Sequence, residues 1–247
     1  MKVKKVIRRL FIFLGVLIIL IVGALFAIPY LFKDELIAEL KTQLNENLRA
    51  KTDFSDVHLS LFKSFPDVSV QVMDLDMVGI DQFEGVPLIR AKEFELVVDL
   101  MSLLYESRPY EIERVRAVQP LINVLVLANG EPNYDVTGDY AKEVEEPEDG
   151  ADSSTGSYQI QLKEYEIVDG EIKYEDLESG VYLHIVGLDH GGRGNFTESI
   201  YDLDTHTFIQ AFTLRSGGVE YLDQYQLALD AVLRMNMPEM KFSFKEN

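Results

Sequence analysis

"LFKSFPDVSVQVMDLDMVG", Leu61 to Gly79, decides how this chain is read. Val68, Val70 and Val72 alternate with Ser69 and Gln71, the period-two pattern of a strand with one apolar face. Then the phase reverses, and Met73, Leu75 and Met77 alternate with Asp74 and Asp76. A β-bulge near Val72 would return Leu75 to the face of the valines. Pro66-Asp67 supplies the turn that opens the strand.

The same alternation extends outward on both sides. Before it, Asp56–Lys63 sets Val57, Leu59 and Leu61 against His58, Ser60 and Lys63. After it, Leu88–Leu100 directs Phe94, Leu96 and Val98 inward, and "LMSLLYES" reads as a short helical turn ended before Pro109. Ile112–Val118 and Leu121–Leu127 are strand-like and are separated by Pro120, which suits an edge or a bulge. Asn129-Gly130 is a hairpin turn signal. From Tyr158 four long alternating segments follow, each ending in a Gly or an Asp/Asn turn. A weak internal repeat aligns "RVRAVQPLINVLV" from Arg114 with "EYEIVDGEIKYED" from Glu164, and "MVGID" at Met77 with "IVGLD" at Ile185. The chain stops at "MPEMKFSFKEN", in mid-alternation, as the N-terminal part of a longer protein would.

The beginning has a different character. Lys2, Lys4, Lys5, Arg8 and Arg9 precede Leu10–Phe32, which carries no charge and is long enough to cross a bilayer as a helix. The basic flank favours a cytoplasmic N-terminus and an uncleaved anchor; cleavage near Val22-Gly23-Ala24 is the alternative. Leu36, Leu40, Leu44 and Leu48 then recur every fourth residue, predicting a helix over Lys33–Lys51. Lys142–Ser157, "KEVEEPEDGADSSTGS", cannot bury a core and is expected to be disordered. The chain thus divides into a basic tip and transmembrane anchor (1–32), a juxtamembrane amphipathic helix (33–53), a first β region (54–141), an acidic loop (142–157) and a continuing β region (158–247).

Composition excludes several functions. The 247 residues carry a formal net charge of -19, which disfavours nucleic acid as a partner. With no Cys, the chain has no disulfide frame, thiol nucleophile or Cys-based zinc site. The four histidines, His58, His184, His190 and His206, match no metalloprotease spacing, although His184 and His190 could approach each other with Asp189. "DHGGRGN" lacks the Lys and Ser/Thr of a phosphate loop and reads as a turn. Asp74 with Asp76, and Asp202 with Asp204, form pairs that could bind calcium, but a solvated strand face gives the same pattern. Asn195-Phe196-Thr197 is formally a glycosylation acceptor. The expectation is a protein with no enzymatic activity, cofactor or metal.

Taken in order, these pieces resemble the AsmA family of Gram-negative envelope proteins. The resemblance rests on Phe65-Pro66 before the long strand and Val78-Gly79 at its end. It continues through "AKEFELVVDLMSLL" at Ala91, "ERVRAVQPLINV" at Glu113, Asn129-Gly130 with Asn133-Tyr134, and "IVDGEIKYED" at Ile167. It implies a bridge-like lipid-transfer architecture: a long, twisted antiparallel β-sheet curling into an apolar groove. It also implies an inner-membrane anchor through residues 10–32, a periplasmic C-terminal part, a role in outer-membrane biogenesis, and phospholipids and other envelope proteins as partners. The groove would be lined by Val68, Val70, Val72, Leu75, Phe94, Leu96, Val98, Ile122, Val124 and Val126. From the residues alone, a closed β-sandwich core is the reading the alternation favours over a groove; the resemblance reverses that preference. A non-catalytic scaffold for outer-membrane protein assembly is the alternative function, and an envelope hydrolase a third.

Overall fold

The computed structural model describes residues 33–60, 67–104, 110–136, 160–196 and 198–246. The expected membrane span and the whole acidic loop lie outside them. Among the described residues no helix is long and apolar enough to cross a membrane. The chain falls into two units, residues 1–42 and 43–247. Helix α1 (Lys33–Asn47) begins in the first, with Asp34 and Glu35 in its opening turn, where carboxylates suit the helix dipole. It ends earlier than the leucine spacing predicts. Ala50–Asp53 is already a strand, β1, and Asn45 ties to it: its amide donates to the Thr52 carbonyl and accepts from the Thr52 N–H, both at 2.8 Å.

Among the described residues the second unit forms one sheet of eleven strands. After β1 come β2 (Asp56–Ser60), β3 (Val68–Gly79), β4 (Pro87–Val98), β5 (Tyr110–Val118) and β6 (Leu121–Val126). Then follow β7 (Ile160–Asp176), β8 (Val181–Gly194), β9 (Ile200–Ser216), β10 (Val219–Asn236) and β11 (Lys241–Glu246). A short helix α2 (Leu100–Leu104) follows β4, as "LMSLLYES" predicts, with Asp99 accepting from the Ser102 N–H at 2.6 Å. The spatial order is β1-β3-β4-β5-β7-β8-β9-β10-β11; β2 pairs with β3, and β6 continues the position of β5 between β4 and β7.

The sheet is mixed, which corrects the expectation of a purely antiparallel one. Strand β7 runs parallel to β5 and β6. A parallel return needs a long connection rather than a tight turn, and residues 127–159 provide it. The repeat seen in the sequence is the register of this pairing: Arg114 faces Glu164, and Leu121 faces Glu171. The second proposed repeat has no such meaning, because Gly79 ends β3 while Gly187 lies inside β8. Asn129-Gly130 does turn the chain, but among the described residues only the isolated bridge Val126–Pro132 follows.

The phase reversal in β3 is not an inserted residue. Met73 faces Glu93 and Leu75 faces Ala91, so the register is unchanged; Asp74 between them is left-handed, with φ 50°. The register shift in this pair falls instead between Met77 and Val78. Gln119 (φ 48°), between β5 and β6, and Asp169 (φ 52°) in β7 are left-handed too, while Gly187 (φ 63°) and Gln224 (φ 54°) are left-handed where the register shifts. In register, Asp74, Gln119 and Asp169 share one line across the sheet, and the Gln119 amide donates to the Asp169 carboxylate at 3.0 Å. In β7 the consequence is visible. A Cβ built on Gly170 would lie 2.7 Å from Ile167 Cγ2 and 3.3 Å from Pro120 Cγ, so residues three apart share a side. The apolar face therefore stays on one side while its parity changes.

Candidate functional site

Cross-strand partners share a face, so the register reads out both sides of the sheet. One row runs Val70–Leu96–Val115–Tyr165–Gly192–Thr205. The next runs Val72–Phe94–Ala117–Ile167–His190–Thr207. Beyond the left-handed line comes Met77–Ile89–Ile122–Ile172–Ile185–Phe212, an unbroken apolar row over six strands.

The ten groove candidates all lie in this sheet. Val68 faces Val98, Val70 faces Leu96, Val72 faces Phe94, Leu75 faces Ala91, and Ile122 faces Ile89. Val124 and Val126 pair with Tyr174 and Asp176 on β7. Val98 and Val126 are buried, each 9% exposed, while the other eight remain half-exposed. The only described side chains below 2% exposure are Ser69 and Ser102. A sandwich would bury its inner valines and leucines almost completely; here most of those of β3, β4 and β6 stay partly open, whereas Leu188, Leu203 and Ile209 of β8 and β9 are buried.

The opposite face is charged. Glu95, 7% exposed, accepts from Ser69 (2.7 Å) and Gln71 (3.0 Å) and pairs with Arg114 (3.0 Å). Burial alone would raise its pKa, but the bonds from Ser69 and Gln71 and the Arg114 charge outweigh it, and the carboxyl sits below its usual value. Arg116 bridges Glu166 (2.7 Å) and Glu93 (3.7 Å), and Lys163 joins Glu111 (3.2 Å) and Glu113. Over Gly191 this face has a depression of about 430 Å³ edged by Glu164, Glu166, Asp189, Arg193 and His206.

The sequence-predicted acid and histidine groups separate. Asp76 pairs with Arg90 at 2.8 Å, while Asp74 accepts from Ser55 at 2.6 Å. Asp202 is held by Lys245 (2.8 Å), which lowers its pKa, and by Arg234 (3.4 Å). His184 bonds Glu171 at 2.8 Å, and Asp189 accepts the Asp169 N–H at 2.9 Å, so neither joins His190. Asp67, Asp99 and Glu113 do converge, with oxygens within 4.8 Å, and Lys163 pairs with Glu113 beside them.

Sequence reasoning missed one group on the apolar face. His190 Nε2 lies 3.0 Å from the Tyr165 hydroxyl, and Nδ1 lies 2.9 Å from the Thr207 hydroxyl. Thr205, 6% exposed, donates to the Gly191 carbonyl at 3.1 Å. Burial pushes the His190 pKa down and the Tyr165 pKa up. Tyr165 and Tyr201 flank Phe196, with ring centroids 6.1 and 5.1 Å from it. The sequence signal was the alternation itself, which puts Tyr165 and Ile167, His190 and Gly192, and Thr205 and Thr207 on same-face positions of three strands.

The AsmA family model matches residues 3–190 of this chain, and the chain belongs to that family. No curated protein matches it.

Proposed function

We propose that this chain is a membrane-anchored envelope protein that holds phospholipid acyl chains on the apolar face of its sheet, without catalysis or a cofactor. Residues 10–32 would sit in the inner membrane and the β part in the periplasm, where the protein serves outer-membrane biogenesis. Family membership supports an envelope or lipid-related role. The observation that carries the finer reading is the half-open apolar face continued across at least six strands. Each methylene moved from water onto such a surface gains about 0.8 kcal/mol, so one acyl chain can be retained without any specific contact. A scaffold for outer-membrane protein assembly is the second reading. It draws on β10, where Val219–Ala231 has β9 as its strand partner among the described residues and Tyr221 and Tyr225 are 62% and 60% exposed.

Val70→Asp and Leu96→Asp separate an open face from a closed core. On an open face the new carboxylate reaches water, so the protein folds while co-purified lipid, measured by mass spectrometry, falls. In a closed core the charge is stranded and the protein unfolds. Unfolding of both variants, with no lipid bound to the parent, would rule the reading out.

A further inference from the structure

The apolar face carries one polar island. It lies on β7, β8 and β9, where Tyr165, His190, Thr205 and Thr207 occupy neighbouring positions of two rows. On one side the rows continue as Val115 and Ala117, and on the other as Ala231 and Leu229. A surface meant only to exclude water has no use for four hydrogen-bonding groups there.

Their connectivity has a direction. A neutral imidazole offers one N–H and one bare nitrogen. The phenol is the stronger acid of the two hydroxyls flanking His190, so we assign the Tyr165 O–H as the donor to Nε2. Nδ1 then carries the proton and donates to Thr207 Oγ1. The relay leaves the Thr207 hydroxyl hydrogen free to donate, at a half-buried position. An electrically neutral relay that ends in a donor suits a neutral acceptor. It offers no cation to a phosphate.

We propose that this island is a binding station for the ester carbonyl of an acyl chain lying on the sheet, with Thr207 as the donor and His190 and Tyr165 as positioning residues. The inference rests on the lipid-holding reading above and specifies where along the face the ester linkage stops. The charged headgroup is left to water.

The test compares two probes that differ only in that carbonyl. The full chain, with a photo-crosslinking residue in place of Leu229, the cross-strand partner of Thr207, is placed in detergent micelles. The micelles hold equal amounts of dioleoylphosphatidylcholine and its dialkyl ether analogue, and adducts are counted by mass. One hydrogen bond predicts about a fivefold excess of the ester lipid. Thr207→Val should bring the ratio to one, and Thr207→Ser should restore it, which a merely structural role would not do. Equal capture of both lipids by the parent chain, or an ester preference that survives in Thr207→Val, would overturn the station while leaving lipid holding intact. Capture of neither lipid would overturn both. The parent-chain ratio needs no island variant, so a folding defect in Thr207→Val cannot mask the answer.

Discussion

The ring of Tyr165 lies against the backbone of Gly192, its cross-strand partner: a Cβ built on that glycine would sit 2.4 Å from the ring. Only glycine admits this contact, and the contact aims the phenol at His190. Gly192→Ala should push the ring aside and break the Tyr165–His190 bond, at a cost of about 1–2 kcal/mol. Tyr165→Leu in the same chain should recover part of that loss. A denaturant series in which Gly192→Ala is neutral would show that the ring is free to move.

Glu95 is the most heavily bonded carboxylate of the charged face. Glu95→Ala removes the acceptor of Ser69 and Gln71 and the partner of Arg114, and should cost about 3 kcal/mol. Exposed pairs such as Arg193–Glu164 should cost under about 1 kcal/mol when cut. Urea midpoints of the two single variants check the ordering, and equal losses would contradict it.

Gln224 holds a left-handed backbone with an exposed side chain. Glycine adopts that conformation freely, whereas a β-branched residue does not. Gln224→Gly should therefore raise the melting temperature slightly, and Gln224→Val should lower stability by about 1–2 kcal/mol. The reverse order in a thermal scan would mean that the conformation at Gln224 is not left-handed in solution.

His190 titrates with a definite sign. Burial first of all, and the charge of His206 as well, hold its pKa below the ordinary value in the folded state. The unfolded chain then binds more protons than the folded one, so stability rises with pH. The contribution is full above about pH 6.5 and is lost as pH falls through the folded-state value. Between pH 7.5 and 5.5 the parent chain should lose more stability than His190→Gln. Parallel losses would contradict it.

Much of the sheet was legible in the sequence because alternation is a local signal. Val68–Val78 and Leu88–Leu100 are strands within two residues of their observed ends, and "LMSLLYES" begins a helix where expected. Strand β1 was not legible: Ala50-Lys51-Thr52-Asp53 has a single apolar residue and so no apolar alternation to read. The left-handed line was read as a bulge because both devices reverse the apolar phase. Only the cross-strand register, which is a long-range fact, tells them apart. The parallel pairing was hidden for the same reason, although the Arg114–Glu164 repeat contained its register. Single histidines carry no local signal of partnership, so the Tyr165–His190–Thr207 relay emerged only once three strands were side by side.

The central claim is that one face of this sheet touches lipid and the other does not. Photo-crosslinking residues at Val70, Leu96 and Val124, compared with Gln71, Arg116 and Lys173 on the opposite face, measure this directly in the intact cell envelope. The account predicts phospholipid adducts at the first three positions and none above background at the second three. Absence of lipid adducts at Val70, Leu96 and Val124, or equal capture on both faces, would contradict it.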